Sequence, residues 1–311
     1  MNEQIYIIGH KKPDLDSVVS AYAYKLYKQR LKGLNYIASV CDPVNPLTKW
    51  IFSYFKQEIP ELIQSIENKK VILVDHTEPE QRPPGWQKAQ IIEVIDHREP
   101  NLDGIKPEKI IIKKYGSVTT IIAQKYIQNK VEINSGLAGL MLSAILDDTL
   151  ALNSPNTTLV DEIMVTEMAT RAKIGDINAF SKKMFNKKDS WDSMPALQIL
   201  QTDLKEMKAN GHHISVTKIE TMDSKNLEKR QAEFLLALNR LQKDNPITLR
   251  LLMIIDILSK SCILLGVGER VTDLEKIFNT KLIKNNKMYL PKITSRKTQI
   301  VPPILKYYSN E

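Results

Sequence analysis

Residues Ile5 to Ser20 constrain the fold most, because the chain changes backbone period there across a loop crowded with charge. Gln4 to Ile8 is a short apolar, β-rich run and Gly9 interrupts it. Val19, Ala23 and Leu26 then recur at helical spacing until Gly33 offers a stop. His10, Asp14 and Asp16 therefore occupy a strand-to-helix loop. In open α/β sheets, such loops at the carboxyl ends of strands are where ligands bind. One imidazole and two carboxylates this close repel and desolvate one another unless a cation neutralises them, and mixed nitrogen and oxygen donors suit a divalent transition metal. Taken alone, Asp14 or Asp16 also reads as a helix cap.

The same design recurs. Val71 to Val74 ends at Asp75-His76-Thr77-Glu78, and Ile91 to Ile95 ends at Asp96-His97-Arg98-Glu99. Tyr36 to Val40 and Ile110 to Ile112 complete five expected strands. Helices are expected over Pro46 to Phe55, Val118 to Ile127, Leu137 to Leu146 and Leu159 to Ala172. Short apolar strands alternating with helices predict an α/β fold, a mostly parallel sheet with helices on both faces.

At 311 residues two domains are expected. The polar stretch Asn186 to Asp192 marks a change of rhythm, which puts the first domain at 1–186, a linker at 187–192 and a smaller mixed α+β domain at 193–311. In that second domain His213 to Ile219, Ile247 to Ile255 and Ser261 to Val267 predict strands. Leu227, Phe234, Leu238 and Leu241 line one helix face, and Asp273 to Phe278 forms a short helix.

The most hydrophobic stretch, Leu249 to Val267, is broken by Arg250, Asp256 and Lys260, so no membrane partner is expected. No leader pattern opens the chain, and Cys41 and Cys262 lie far apart, which together suggest a reduced, cytoplasmic setting. The net charge of +8 comes from scattered lysines, many beside acids. That describes a solvated surface rather than a nucleic-acid partner.

A fourth acidic site stands at Ala144-Ile145-Leu146-Asp147-Asp148-Thr149, where a mostly apolar helix runs into two carboxylates. Such a pair is costly to bury without a cation. With His10, His76 and His97 each at a strand end, the chain has enough donors for two metals sharing a bridging aspartate. A two-metal cluster lowers the pKa of a bound water and clamps the attacking and leaving oxygens in phosphoryl transfer.

Five motifs in order, Gly9-His10-x-x-Pro13-Asp14-x-Asp16-Ser17, Val74-Asp75-His76-x-Glu78, Asp96-His97, Asp148-Thr149 with Ser154-Pro155, and Ser295-Arg296-Lys297-x-Gln299, resemble those of the manganese-dependent, family II inorganic pyrophosphatases of the DHH superfamily. The resemblance spans nearly the whole chain. It implies an N-terminal DHH domain, a C-terminal DHHA2 domain and an active site between them, with two Mn2+ or Co2+ ions per chain and Mg2+ accompanying the substrate. By that resemblance His10, Asp14 and Asp75 hold one metal, while Asp16, Asp75, His97 and Asp148 hold the other. Catalytic roles fall to Asp14, Asp75, His97 and Arg98, and substrate binding to His76, Arg98, Lys205, Arg296 and Lys297. The implied partner is a small molecule, pyrophosphate or polyphosphate, and a homodimer is compatible with the family.

Two positions depart from the pattern. The usual Asp-His-His is Asp96-His97-Arg98 here, and the usual asparagine before Pro13 is Lys12. The Asp-His-Arg form is similar to prune-like exopolyphosphatases, which makes exopolyphosphatase the alternative reading. The chain lacks any Gly-Gly pair and so the glycine-rich motif of DHH phosphodiesterases. A non-catalytic phosphate-binding protein ranks last.

Overall fold

Strand β1 (Ile5–Ile8) lies inside the first sheet, between β2 (Tyr36–Val40) and β4 (Lys70–Val74). Beyond β2 comes β3 (Glu61–Leu62), and beyond β4 come β5 (Gln90–Asp96) and β6 (Lys109–Ile112). All pairings of this six-stranded sheet are parallel. The chain leaves β1 toward β2 on one side and returns through β4 on the other, so strand order reverses between β1 and β4. At such a switch point the loops at the carboxyl ends part and leave a crevice. Periodicity missed β3 because two exposed residues carry no pattern.

The computed structural model describes residues 4–33, 35–189, 191, 194–222, 224–284 and 286–310. It forms two compact units, Met1–Lys188 and Asp189–Glu311.

In the first unit, α1 (Leu15–Lys32) begins where Asp14 Oδ1 accepts the Ser17 backbone N–H at 2.9 Å, and ends at Gly33, whose φ of 62° is left-handed. A cap of this kind contributes about 1 kcal/mol. α2 (Pro46–Tyr54), α3 (Val118–Gln128), α4 (Ser135–Asp148), α5 (Leu159–Ala172) and α6 (Ile177–Asp189) complete the unit. α4 packs against α1, α3 and α5 and is buried at every position from Leu137 to Asp147. Each fully buried leucine or isoleucine there contributes roughly 1.5–3 kcal/mol. Gly139 lets the Phe55 ring approach: a Cβ at that position would lie 2.1 Å from it. α6 runs through Asp189, so Lys187 to Asp189 of the expected linker are helical, while Ser190 and Asp192 lie outside the described residues.

The second unit contains α7 (Ala196–Thr202), β7 (Leu204–Ala209), β8 (His212–Thr221), α8 (Ser224–Lys229), α9 (Gln231–Asp244), β9 (Leu249–Asp256), β10 (Ser261–Val267), α10 (Asp273–Phe278), β11 (Lys287–Pro291) and α11 (Val301–Ser309). Its sheet runs β11-β10-β9-β8-β7, with β8 and β9 parallel and the other pairs antiparallel. Alternation along the strands divides the core. Val216, Leu251 and Met253 pack toward Ile304 and Tyr308, whereas Leu252, Ile254 and Leu265 pack toward Phe234 and Leu238. The single helix expected to carry Leu227, Phe234, Leu238 and Leu241 is two, α8 and α9. They are separated at Arg230, whose guanidinium reaches Glu233 and the carbonyls of Trp191 and Met194. β7 escaped the sequence reading because Leu-Lys-Glu-Met-Lys-Ala is an edge strand, exposed at four of its six residues. No helix among the described residues is long and apolar enough to cross a membrane.

Candidate metal centre

The loops after β1, β4 and β5 bring imidazoles and carboxylates together. His10 Nδ1 is 2.7 Å from the Lys11 carbonyl oxygen, which leaves Nε2 facing Asp14 Oδ2 and Asp75 Oδ2, each at 3.5 Å. Burial lowers the His10 pKa, but the neighbouring Asp14 and Asp75 carboxylates outweigh it and push the value up to about 10. The field at this nitrogen therefore strongly favours a positive charge. A proton satisfies it, and so does a divalent ion.

Asp75 follows β4 directly with a left-handed φ of 65°, a conformation that Asp tolerates better than most side chains. It is fully buried; burial and the Asp14 charge, with Asp16 adding to them, drive its carboxyl well above the usual range against the pull of His10 and Arg98. Its Oδ1 lies 3.6 Å from His97 Nε2 and 3.5 Å from Arg98 Nη2. His97 is oriented through Nδ1, 3.0 Å from the Tyr115 carbonyl oxygen. Arg98 is opposed by burial, yet Asp75, Asp96, Asp148 and Asp14 together raise its pKa.

Asp16 is fully buried at the amino end of α3. Its Oδ1 accepts from Ser117 Oγ at 2.7 Å and Thr119 N–H at 3.0 Å, and its Oδ2 from Val118 N–H at 2.7 Å. A helix amino terminus favours a carboxylate in this way. Asp148 sits at the opposite kind of end, the last residue of α4, where burial and the charges of Asp16, Asp75, Asp14 and Asp147 push its carboxyl well above the usual range. Leu150, Ala151 and Leu152 follow with φ of 49°, 51° and 65°, three left-handed residues in a row. Thr149 helps hold them, its Oγ1 accepting the Leu152 N–H at 3.2 Å. Backbone strain of this sort concentrates at functional sites.

Three groups of donor atoms result, each with its atoms within 4.8 Å of one another: His10, Asp14 and Asp75; Asp75, Asp96 and His97; Asp16, Asp75 and Asp148. Asp75 is common to all three. The six residues expected as metal ligands are among them, and Asp96 is an addition. Sequence reasoning placed Asp96 in a motif but gave it no role. Buried Asp75 Oδ2, Asp96 Oδ2, His76 Nε2 and His97 Nε2 have no hydrogen-bond partner. Orphaned buried polar atoms cost about 1–3 kcal/mol each. Clustered carboxylate and imidazole donors with unfilled valences fit a divalent transition metal.

His76 is fully buried and its Nδ1 is 2.9 Å from the Val74 carbonyl oxygen. Burial, reinforced by the charges of His10, Arg82 and Arg98, carries its pKa down to about 3. It is a neutral imidazole with an acceptor at Nε2.

The second unit has a cavity of about 600 Å3 at which Lys205, Lys218, Arg296 and Lys297 meet Asp203, Glu206 and Glu220. Arg296 is largely buried, donating from Nη2 to Asp203 Oδ1 at 2.8 Å and from Nη1 to the Asp203 and Val216 carbonyls. Lys218, which sequence reasoning passed over, pairs with Glu220 at 2.8 Å. Nothing in a lone lysine between Thr217 and Ile219 in a strand signals such a position.

Residues 4–145 match the model of the DHH family, N-terminal domain, and residues 182–307 match that of the DHHA2 domain. The manganese-dependent inorganic pyrophosphatase of Bacillus subtilis is 34% identical over 96% of this chain and 97% of its own length. That of Methanothrix thermoacetophila is 34% identical over 98% of both. The crystal structure of a Methanococcus jannaschii protein described as a family II inorganic pyrophosphatase superimposes with a TM-score of 0.61 at 30% identity, covering 98% of this chain and 99% of that one. An exopolyphosphatase-related protein of Bacteroides fragilis, at 13% identity and a TM-score of 0.52, shares the fold.

Proposed function

This chain belongs to the family of manganese-dependent inorganic pyrophosphatases and is an inorganic pyrophosphatase, and we propose that it hydrolyses pyrophosphate to two phosphates at the cluster centred on Asp75. The observation that carries the site assignment is the membership of Asp75 in all three donor groups. The exopolyphosphatase alternative is not favoured, since the likeness to the Bacteroides fragilis protein concerns the fold alone.

His10, Asp14 and Asp75 would hold one manganese, and Asp16, Asp75, His97 and Asp148 the second, with Asp75 as the bridge. Bound manganese supplies Lewis-acid polarisation of phosphoryl oxygens and a water acidic enough to attack at neutral pH. The remaining steps are those of the protein. Asp14 stays ionised: burial opposes this, but His10, the Ser17 N–H and Arg98 hold its carboxyl below the ordinary value. The Lys11 and Tyr115 carbonyls fix the His10 and His97 rings so that Nε2 of each faces Asp75. Arg98, a permanent cation, neutralises charge on the phosphate, as do Lys205 and Lys297. Arg296, committed to Asp203 and Val216, contributes through its charge and the remaining N–H groups. His76, an acceptor at Nε2, pairs with a proton-bearing partner, the water or a protonated phosphate. Two Mn2+ per chain, with Co2+ able to replace it, a homodimer and a cytoplasmic setting complete the proposal.

The test is phosphate release after chelation and re-addition of metal, comparing pyrophosphate, tripolyphosphate and long polyphosphate. Pyrophosphate should dominate, and manganese should restore more activity than magnesium, which prefers all-oxygen sites. Preference for long chains, or full recovery with magnesium alone, would overturn the assignment.

A further inference from the structure

The bulkiest fully buried side chain among the described residues is a charged one, Arg82. Its guanidinium makes four hydrogen bonds, all to backbone carbonyls: Nε to Thr77 at 2.9 Å, Nη2 to Thr77 at 2.6 Å and to Asn101 at 2.8 Å, and Nη1 to Asp103 at 2.6 Å. Trp86 covers it, with the ring centre 4.4 Å from the guanidinium carbon. No carboxylate among the described residues lies within ion-pair distance of it, and the charges of Asp103, Glu80 and Glu78 nearby only partly offset its burial. Burying a cation without a contacting counter-ion is costly, and apolar side chains of similar volume usually serve stability as well or better. The arrangement therefore points to geometry rather than stability.

The acceptors are informative. Thr77 lies two residues beyond Asp75, and Asn101 and Asp103 follow His97 and Arg98 in the loop after β5. A further bond, Asn101 N–H to Thr77 Oγ1 at 2.9 Å, runs parallel to the guanidinium staple. The third loop meets the backbone just before Arg82 rather than its side chain: the Lys11 N–H donates to the Gln81 carbonyl at 2.9 Å, and Lys11 Nζ to the Glu80 carbonyl at 3.1 Å. The loops that present His10, Asp75 and His97 thus all meet at or beside one buried side chain.

We propose that Arg82 is a positioning residue that sets the spacing of the loops after β4 and β5, with the loop after β1 hung on the adjoining backbone, and through it the geometry of the metal-binding donors; the proposal rests on the metal-centre reading above. Only a planar fork with several N–H groups reaches three separate carbonyls at once. Lysine keeps the charge but concentrates its donors on one nitrogen.

The test uses the full-length protein loaded with Co2+, whose visible absorption reports ligand geometry, together with Mn2+ titration calorimetry. Arg82→Lys and Arg82→Ala are compared with Tyr126→Phe, which removes a buried hydrogen bond to the Ala23 carbonyl in the same unit, away from these loops. Both Arg82 variants should bind metal about tenfold to a hundredfold more weakly, the range found when groups supporting metal ligands are lost, with an altered Co2+ spectrum. Methylguanidinium at millimolar concentration should restore the spectrum of Arg82→Ala. Tyr126→Phe should lower the melting temperature and leave the spectrum unchanged. A folded Arg82→Lys protein with wild-type affinity and spectrum would overturn the proposal; so would a spectral change that Tyr126→Phe shares. Failure of the wild type itself to bind metal would remove the metal-centre reading and this proposal with it.

Discussion

Strand β5 carries two buried carboxylates three residues apart, Glu93 and Asp96, in opposite surroundings. Glu93 receives Lys28 at 2.7 Å, the Tyr24 hydroxyl at 2.6 Å and Lys109 at 3.0 Å. Burial alone would raise its pKa, but Lys28, Tyr24 and Lys109 hold it below the ordinary value. Asp96 has two backbone N–H groups on one oxygen, from His97 and Arg98, and nothing on the other. Burial dominates there and raises its pKa. Its near neighbours in the donor groups are Asp75 and His97. The protein can therefore neutralise a buried carboxylate with its own lysines and does so within the sheet. At the carboxyl end of the same strand no lysine among the described residues pairs with Asp96.

Asp75→Asn breaks this contrast most sharply. Asparagine tolerates the left-handed backbone, but loses the charge common to all three donor groups. Turnover on pyrophosphate should fall by about a thousandfold or more, on the order of 4 kcal/mol in transition-state stabilisation. In chelator, the same variant should melt higher than wild type, because it relieves repulsion with Asp14, Asp16 and Asp148. A lower melting temperature under those conditions would mean that the cluster is internally compensated after all.

Metal itself should produce the next largest effect. Wild type with Mn2+ at a hundred times its dissociation constant should gain about 2.7 kcal/mol per site over the chelated protein, read as a concentration-dependent rise in melting temperature. A melting temperature indifferent to manganese would contradict the contrast directly.

Glu93→Gln should behave in the opposite sense. It leaves Lys28 partly buried without its counter-ion, and stability should drop by roughly 1–3 kcal/mol while metal stoichiometry is unchanged. A pH series sharpens the comparison at the smallest scale. The folded pKa of Glu93 is depressed, so its stabilisation is complete above the unfolded value of about 4.3 and is lost as pH falls through the folded value. The gap in stability between wild type and Glu93→Gln should thus close in acid. A gap that widens instead would place the sign of the Glu93 interaction in error.

Much of this was legible in the residues because the relevant signals are local. Asp75-His76 and Asp96-His97 close strongly apolar strands, and a change from period two to period 3.6 marks the loop after β1. The charges that matter but lack such punctuation were not. Ser117, Val118 and Thr119, which hold Asp16, lie more than a hundred positions away in a stretch that reads only as a helix start. Arg82 stands among Pro79, Pro83, Pro84 and Gly85, a turn composition that gives no sign of burial, and only the fold reveals that it is buried. β7 and α8 were obscured for a different reason, the first by a polar edge and the second by a helical apolar face that continues across a break.

Asp14 divides its two oxygens between tasks, with Oδ1 capping α1 through the Ser17 amide and Oδ2 facing His10. The two oxygens share one delocalised π system, so electron density drawn toward a cation at Oδ2 leaves Oδ1 a weaker acceptor. On the proposed assignment the Ser17 amide proton would serve as a spectroscopic gauge of the site: its NMR resonance and solvent-exchange rate would register cation loading from inside the first turn of α1, without substrate and without any added probe.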